Sequence, residues 1–263
     1  MKIAIVSNKN IEKTKDVIEK LEAAINESDI QYDVLDIDSL QSGYDFVFVV
    51  GGDGTMLKTS RFYSEYDTPV MGINLGRLGF LSLVAPCDID KLVDIVRHKK
   101  YEIQNRIMLK SENLTALNDF VIKGHSPNRT SKFNLYINNK LVSDYIADGL
   151  IISTPTGSTA YGLSAGGPIL SPKIEAVVIV PICAHTMTAR PLVVPCSEKI
   201  LVETVDESLD LYCDGQESLL NVQKVEIVLS QYRAKLAFPK NDEFYSVLRN
   251  KLHWGVSPVS CES

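Results

Sequence analysis

An uninterrupted apolar run, Phe46–Val50, stops at the pentapeptide Gly51-Gly52-Asp53-Gly54-Thr55, and residues 56–59 then favour a helix. β-Branched and aromatic residues that end at glycines are typical of a buried strand followed by a tight turn. In open α/β sheets, ligands bind at the carboxyl ends of the strands, beside helix N-termini. The pentapeptide therefore predicts a ligand-binding turn at the edge of an α/β sheet.

The composition of the pentapeptide indicates phosphate as the ligand. Glycines let a phosphate approach the backbone N–H groups, so we expect phosphates beside Gly51, Gly52 and Thr55. Asp53 is unexpected there, because a carboxylate repels phosphate unless it binds a metal ion or accepts a proton from a nucleophile. The alternative is a glycine-rich turn in which Asp53 only caps the helix.

The pattern along the chain predicts two domains. Strands alternate with helices over about the first hundred residues, which predicts a doubly wound parallel sheet. After Tyr101, strands and turns follow one another without helices, for example at Phe133–Ile137 with a tight turn at Asn138-Asn139. A final amphipathic helix near residues 244–252 is expected to pack back on the first domain. We predict an α/β domain from residues 1–100 plus 238–263 and a mostly β domain from residues 101–237.

Composition restricts the partners and the compartment. The 263 residues carry a formal net charge of −6, with 45% hydrophobic and 23% charged residues. This mild acidity argues against a nucleic-acid partner and against an anionic membrane surface. Because the chain is acidic, binding of a polyphosphate also requires nearby hydrogen-bond donors and a divalent cation such as Mg²⁺. The sequence does not identify the protein ligands of that cation. The five scattered cysteines and the absence of a signal peptide or membrane span predict reduced thiols and a cytoplasmic protein.

Two further segments have the composition of ligand-facing loops. Residues 74–81 follow a predicted strand, and there Arg77 is suited to pair with a phosphate and Phe80 to lie against a flat ring. The alternative is a surface arginine and a core phenylalanine. Residues 148–161 form a strand that enters a loop rich in hydroxyls and glycine, suited to a ribose or a purine edge. A solvated turn is the alternative for this loop.

In their order and spacing, these motifs resemble those of the NAD kinase family. The resemblance rests on the pentapeptide, Asn118-Asp119, the run 148–161 with Gly166-Gly167-Pro168, His185 with Arg190-Pro191, and Asp214-Gly215-Gln216. The Gly-Gly-Asp-Gly-Thr element is shared with diacylglycerol and sphingosine kinases and, more loosely, with phosphofructokinases. The run Ser-Thr-Pro-Thr-Gly-Ser-Thr-Ala-Tyr is specific to NAD kinases. The resemblance extends from about Ile3 to the final helix.

The resemblance implies transfer of the ATP γ-phosphate to the 2′-hydroxyl of the adenosine ribose of NAD, giving NADP. It implies a phosphate-donor α/β domain, an NAD-binding β domain and a homo-oligomer, a tetramer or a dimer. It makes Asp53 the general base. From the chemistry of the residues themselves, the ATP phosphates are expected beside Gly51, Gly52, Thr55 and Arg77. The residues that it implies for NAD are Gly54, Phe80, Asn118, Asp119, Asp148, Thr156, Thr159, Ala160, Tyr161 and Ser164.

Several points stay open in the sequence. The family often has Glu where this chain has Asp119, and the shorter side chain is expected to keep the charge with a shorter reach. His185 is expected to be a buried, hydrogen-bonded histidine. Alternative functions are a lipid kinase of the diacylglycerol or sphingosine type and a non-catalytic dinucleotide sensor. The sequence does not decide between ATP and polyphosphate as the donor.

Overall fold

A computed structural model of the protein describes residues 1–28, 30–76, 79–82, 84–126, 130–186, 188–204, 207–239 and 244–252. Its elements in chain order are β1 Lys2–Ser7, α1 Thr14–Asn26, β2 Gln31–Asp36, β3 Phe46–Val50, α2 Asp53–Ser64, β4 Val70–Ile73, α3 Ile89–Arg97, β5 Tyr101–Ser111, β6 Leu114–Ala116, β7 Asp119–Gly124, β8 Ser131–Ile137, β9 Lys140–Ala147, β10 Gly149–Ser153, α4 Tyr161–Ser164, β11 Ala176–Ile182, β12 Leu192–Pro195, β13 Ile200–Thr204, β14 Leu209–Cys213, β15 Glu217–Val222, β16 Lys224–Pro239 and α5 Phe244–Leu252.

The chain divides into two compact units. Unit 1 consists of Met1–Gln104 and Lys235–Ser263, and unit 2 of Asn105–Ala234. Strands β5 and β16 each begin in one unit and end in the other. The roles that the sequence predicts for the two domains, phosphate donation and NAD binding, stay predictions.

Unit 1 contains a parallel sheet in the order β2-β1-β3-β4, and Leu236 of β16 pairs in parallel with Val70 of β4. Strand β3 is buried along its whole length, because helices cover both faces of such a sheet. Helix α1 buries Val17, Leu21 and Ile25, which follow helical spacing, in the same apolar cluster as β3. Because β1–β4 are parallel, their carboxyl ends lie at the same edge of the sheet.

Unit 2 is built from antiparallel strands. One sheet has the order β12-β11-β10-β7-β14-β15, and β13 pairs with both β8 and β16, with β9 beyond β8. A single apolar cluster draws residues from both sets of strands, including Phe120, Phe133, Leu150 and Ile227. Two apolar sheet faces that bury their side chains against each other account for this core.

The fold class predicted from the sequence is confirmed. The first part of the chain is α/β with a parallel sheet, the second is mostly β, and helix α5 belongs to unit 1. The expected tight turn lies between β8 and β9, where Asn138 and Asn139 have φ of 48° and 64°. Within the described part of the chain, no helix combines the length and the apolar character that a membrane span requires.

Candidate active site

Asp53 lies at the position that the pentapeptide predicts. Gly51 follows β3, and its N–H donates to Ile73 O of the neighbouring strand β4 at 3.0 Å. Gly52 is the extended N-cap of α2, and Asp53 is the first residue of that helix. The N-terminus of a helix attracts anions through its dipole and its backbone N–H groups. The carboxylate therefore lies where a phosphate-binding turn would place its ligand.

Both oxygens of the Asp53 carboxylate accept hydrogen bonds from the loop after β4. Oδ2 accepts the N–H of Phe80 at 3.0 Å, and Oδ1 accepts the N–H of Leu81 at 3.1 Å. The N–H and the hydroxyl of Ser82 both donate to Oδ1 at 3.4 Å. A Cβ at Gly79 would overlap Oδ1, so only glycine fits beside the carboxylate. Asp53 thus holds this loop in place as well as facing solvent.

A lysine from the end of the chain also reaches Asp53. Lys251 of α5 places Nζ 3.6 Å from Asp53 Oδ2 and 4.3 Å from the centroid of the Phe80 ring. Phe80 is half-buried, so it is not the fully buried core side chain of the alternative interpretation. Arg77, the predicted phosphate ligand of this loop, lies outside the described residues.

In unit 2, the carboxylate of Asp214 organises the segment 117–119. Its oxygens accept the N–H groups of Leu117 at 3.0 Å, Asn118 at 2.8 Å and Asp119 at 3.0 Å. Asp214 itself begins a turn between β14 and β15 with φ of 50°, followed by Gly215 with φ of 65°. The Asp-Gly pair predicts this turn, but the sequence does not reveal that its carboxylate fixes the candidate NAD-binding segment.

Asp119 is only 4% exposed. Burial raises the pKa of its carboxyl to about 7, and the negative charge of Asp214 adds to the rise. Near neutral pH, a carboxyl with this pKa populates both its protonated and its ionised form, which the sequence does not reveal. A protonated carboxyl donates a hydrogen bond as well as accepting one.

The hydroxyl-rich loop after β10 uses several of its hydroxyls internally. Thr154 Oγ1 donates to Leu117 O at 2.6 Å and accepts the N–H of Gly157 at 3.1 Å. Ser158 Oγ donates to Pro155 O at 2.7 Å and accepts the N–H of Leu170 at 2.9 Å. Because Thr154 and Ser158 are fully buried, they shape the loop and do not face a ligand.

The predicted NAD-binding residues of this loop differ in exposure. Tyr161 and Ser164 are exposed, and Thr159 and Ala160 are half-buried. Thr156 is buried, and its hydroxyl accepts a hydrogen bond from Arg106 Nη1 at 3.2 Å. Of the other unit 2 residues predicted to bind NAD, Asn118 is half-buried and Asp148 is exposed.

Two residues correct or extend the sequence analysis. His185 is exposed, so the expected buried histidine is wrong; its backbone N–H donates to Ile146 O at 2.8 Å. Lys251 was not predicted as a site residue, because nothing in the local pattern of α5 distinguishes it from the neighbouring Arg249. Both cations lie in the last turn of the helix, where basic residues are common.

Comparison with known families identifies both parts of the chain. Residues 3–101 match the model of the ATP-NAD kinase N-terminal domain, and residues 117–238 match the model of the ATP-NAD kinase C-terminal domain. The chain belongs to the NAD kinase family. This membership covers the α/β part that holds Asp53 and the β part that holds the segment 117–119 and the loop after β10.

Curated relatives and solved structures agree with this family. The chain is 40% identical over 235 residues to the NAD kinase of Legionella pneumophila (strain Paris), covering 84% of this chain and 80% of that protein. It is 35% identical over 270 residues to the NAD kinase of Clostridium botulinum (strain Loch Maree / Type A3), covering 96% of each. An NAD kinase from Archaeoglobus fulgidus, solved in complex with ATP, superposes with a TM-score of 0.80 at 27% identity, covering 96% of this chain and 99% of that one.

A fourth comparison concerns the fold alone. The yeast NADH kinase, solved in complex with NADH, superposes with a TM-score of 0.86 at 22% identity, covering all (100%) of this chain and 90% of that one. This superposition shows that the yeast protein has the same fold as this chain.

Proposed function

We infer that this chain is an NAD kinase, which transfers the γ-phosphate of ATP to the 2′-hydroxyl of the adenosine ribose of NAD. The observation that supports this best is the Asp53 carboxylate at the N-terminus of α2, at the carboxyl end of a buried parallel strand. A phosphate-binding turn by itself has no need of a carboxylate. A kinase needs a group that accepts the proton of the attacking hydroxyl.

We propose that Asp53 is this general base. Its hydrogen bonds with the N–H groups of Phe80 and Leu81 fix the orientation of the carboxylate before the substrates bind. Preorganised groups of this kind need no rearrangement at the moment of reaction. Gly51, Gly52 and Thr55, together with Arg77, are the residues that we propose for the phosphates of ATP.

For NAD, we propose the predicted set of Gly54, Phe80, Asn118, Asp119, Asp148, Thr156, Thr159, Ala160, Tyr161 and Ser164. The exposed or half-buried members of unit 2 support this proposal through their accessibility, while Thr156 would contribute by holding the loop. The Asp214 carboxylate would position Asn118 and Asp119 through their backbone N–H groups.

We propose Mg²⁺ or another divalent cation as the companion of ATP. Among the described residues, no group of three or more His, Cys, Asp or Glu side chains is placed to hold a metal ion. Mg²⁺ is commonly bound through substrate phosphates, water and one or two protein carboxylates. Asp53 would supply such a carboxylate, and the cation would neutralise phosphate charge.

We also propose a cytoplasmic homo-oligomer, a tetramer or a dimer. Exposed apolar side chains on β9, namely Leu141, Val142 and Ile146, support contact with another copy. The thiols of Cys87, Cys183 and Cys196 form no disulfide bond, which supports a reducing compartment. Light scattering of the purified protein and fractionation of cells test these two statements.

The first experiment measures NADP formation from NAD, ATP and Mg²⁺ by the wild type and by Asp53→Asn. A general base contributes roughly 10²–10⁴-fold, so kcat should fall by about that factor while NAD binding is kept. Asn keeps one acceptor oxygen for the loop N–H groups but replaces the second with an NH2 donor, so the melting temperature is the control for folding. NAD binding without turnover by the wild type would favour a dinucleotide sensor, and phosphorylation of lipid vesicles a lipid kinase.

A further inference from the structure

Lys251 joins the candidate active site from the opposite end of the chain. It lies in the last turn of α5, and Val247 and Leu248 of that helix are buried. Its Nζ lies 3.6 Å from Asp53 Oδ2, and the side chains of both residues are 33% exposed. The pair is thus partly removed from water and yet accessible to a ligand.

Lys251, Asp53 and Phe80 each contact the other two residues. The ammonium pairs with the carboxylate, the carboxylate accepts the N–H of Phe80 at 3.0 Å, and the ammonium lies 4.3 Å from the centroid of the Phe80 ring. A cation within about 6 Å of an aromatic centroid is attracted to the face of the ring. Each residue therefore restrains the other two.

The position of this lysine has an electrostatic consequence. ATP carries several negative charges, Asp53 carries one beside the expected phosphate position, and the whole chain has a formal net charge of −6. A cation within 4 Å of the carboxylate offsets the local repulsion far more effectively than distant charges, which salt screens over about 10 Å.

We propose that Lys251 is a positioning residue for phosphoryl transfer, an inference that rests on the proposed function. Its ammonium compensates the charge of Asp53, so that a nucleoside triphosphate can approach the carboxylate. Through Asp53 and the Phe80 ring, it also fixes the loop after β4 before the substrate binds.

Calorimetric titration of ATP with Mg²⁺, in the absence of NAD, tests this without relying on turnover. Lys251→Met keeps the length and apolar stem of the side chain and removes the charge, and the Kd for ATP should rise by about fivefold to tenfold. Lys251→Arg keeps the charge and should restore affinity to within about twofold of the wild type. The loss in Lys251→Met should shrink as ionic strength rises.

Arg249→Met is the matched control. It removes the same charge from the same turn of α5, where Arg249 is exposed. Its Kd for ATP should stay at the wild-type value. Equal losses of ATP affinity in Arg249→Met and Lys251→Met would overturn the inference, because they would show that only the net charge of the protein matters. Melting temperatures of both variants exclude a general loss of the helix.

A double-mutant cycle with Asp53→Asn distinguishes neutralisation of the Asp53 charge by Lys251 from a direct contact between Lys251 and ATP. If Lys251 acts through the Asp53 charge, Lys251→Met should cost almost no ATP affinity in the Asp53→Asn background. A loss of the same size in both backgrounds would overturn the proposed route.

NADP formation by the wild type is measured separately. ATP binding without turnover would overturn the proposed function, whereas normal turnover and ATP affinity in Lys251→Met would overturn only this inference.

Discussion

At the scale of single residues, the carboxylates of this protein have different tasks. Asp53 is accessible and receives N–H groups from a neighbouring loop, whereas Asp214 receives three N–H groups from the segment 117–119. Asp119 is buried close to Asp214. These differences follow from burial and from hydrogen-bond partners, because the side chains themselves are chemically identical.

Asp119 makes the stability of the fold depend on pH. Folding raises the pKa of its carboxyl to about 7, from an ordinary value near 4, mainly through burial. Between these two values the folded state binds more protons than the unfolded state, so stability falls as pH rises. Asp119→Asn cannot ionise, and the free energy of unfolding of the wild type should fall relative to this variant by on the order of 3 kcal/mol between pH 5 and pH 8.

Urea unfolding of the wild type and Asp119→Asn at several pH values measures this difference. The control is Asp16→Asn, which replaces an exposed carboxylate on α1 and should keep the pH dependence of the wild type. Parallel curves for the wild type and Asp119→Asn would mean that Asp119 stays ionised throughout this range.

At the scale of elements, the loop after β10 is shaped by its backbone contacts with the segment 117–119. Asn118 O accepts the N–H of Thr154 at 2.9 Å, and Thr154 Oγ1 donates to Leu117 O at 2.6 Å. The composition of the loop predicted a ligand-facing turn. It could not separate the hydroxyls that hold the loop from those that face outward, because that depends on the neighbouring strand β7.

Gly157 is the position where this loop tolerates no side chain. A Cβ there would overlap the carbonyl group of Asn118, which is backbone and cannot rotate away. Gly157→Ala should therefore destabilise the protein by about 2–4 kcal/mol and weaken NAD binding, since the loop must move.

Denaturant unfolding and NAD titration of Gly157→Ala check this prediction. Gly162→Ala is the matched control in the following helix, because its Cβ would meet Ser153 Cβ at an ordinary 3.7 Å. Its stability should change by less than about 1 kcal/mol. Wild-type stability in Gly157→Ala would show that the loop backbone adapts without cost.

At the scale of the whole molecule, each unit has its own apolar core. In unit 1 the core surrounds β3, and in unit 2 it surrounds β10 and β11, all of which are buried throughout. Backbone N–H groups in such strands exchange with solvent only when the surrounding structure opens. Strand β9 has exposed residues at most of its positions, so its backbone N–H groups are expected to exchange faster.

Hydrogen exchange followed by mass spectrometry tests this distribution. Peptides from β3, β10 and β11 should exchange more slowly than peptides from β9 by at least about a hundredfold, since core strands open with free energies close to that of global unfolding. The comparison of β10 with β9 is internal to unit 2 and provides its own control. Exchange of β3 as fast as that of β9 would contradict the assignment of the unit 1 core.

The sequence by itself determined the element types, the fold class and the turn that presents Asp53. Apolar runs, helical spacing and the Asn138-Asn139 turn depend on residues within a few positions of each other, so a local pattern encodes them. Motif order further indicated the family, which the matches over residues 3–101 and 117–238 established.

Only the tertiary structure decided which side chains contact each other within each unit. The contact of Lys251 with Asp53 joins positions far apart in the chain, and the altered pKa of Asp119 arises from burial near Asp214. The exposure of His185 is likewise set by the fold and not by the apolar residues that precede it. Desolvation and the distance between charges are properties of the folded arrangement, and no local pattern specifies them.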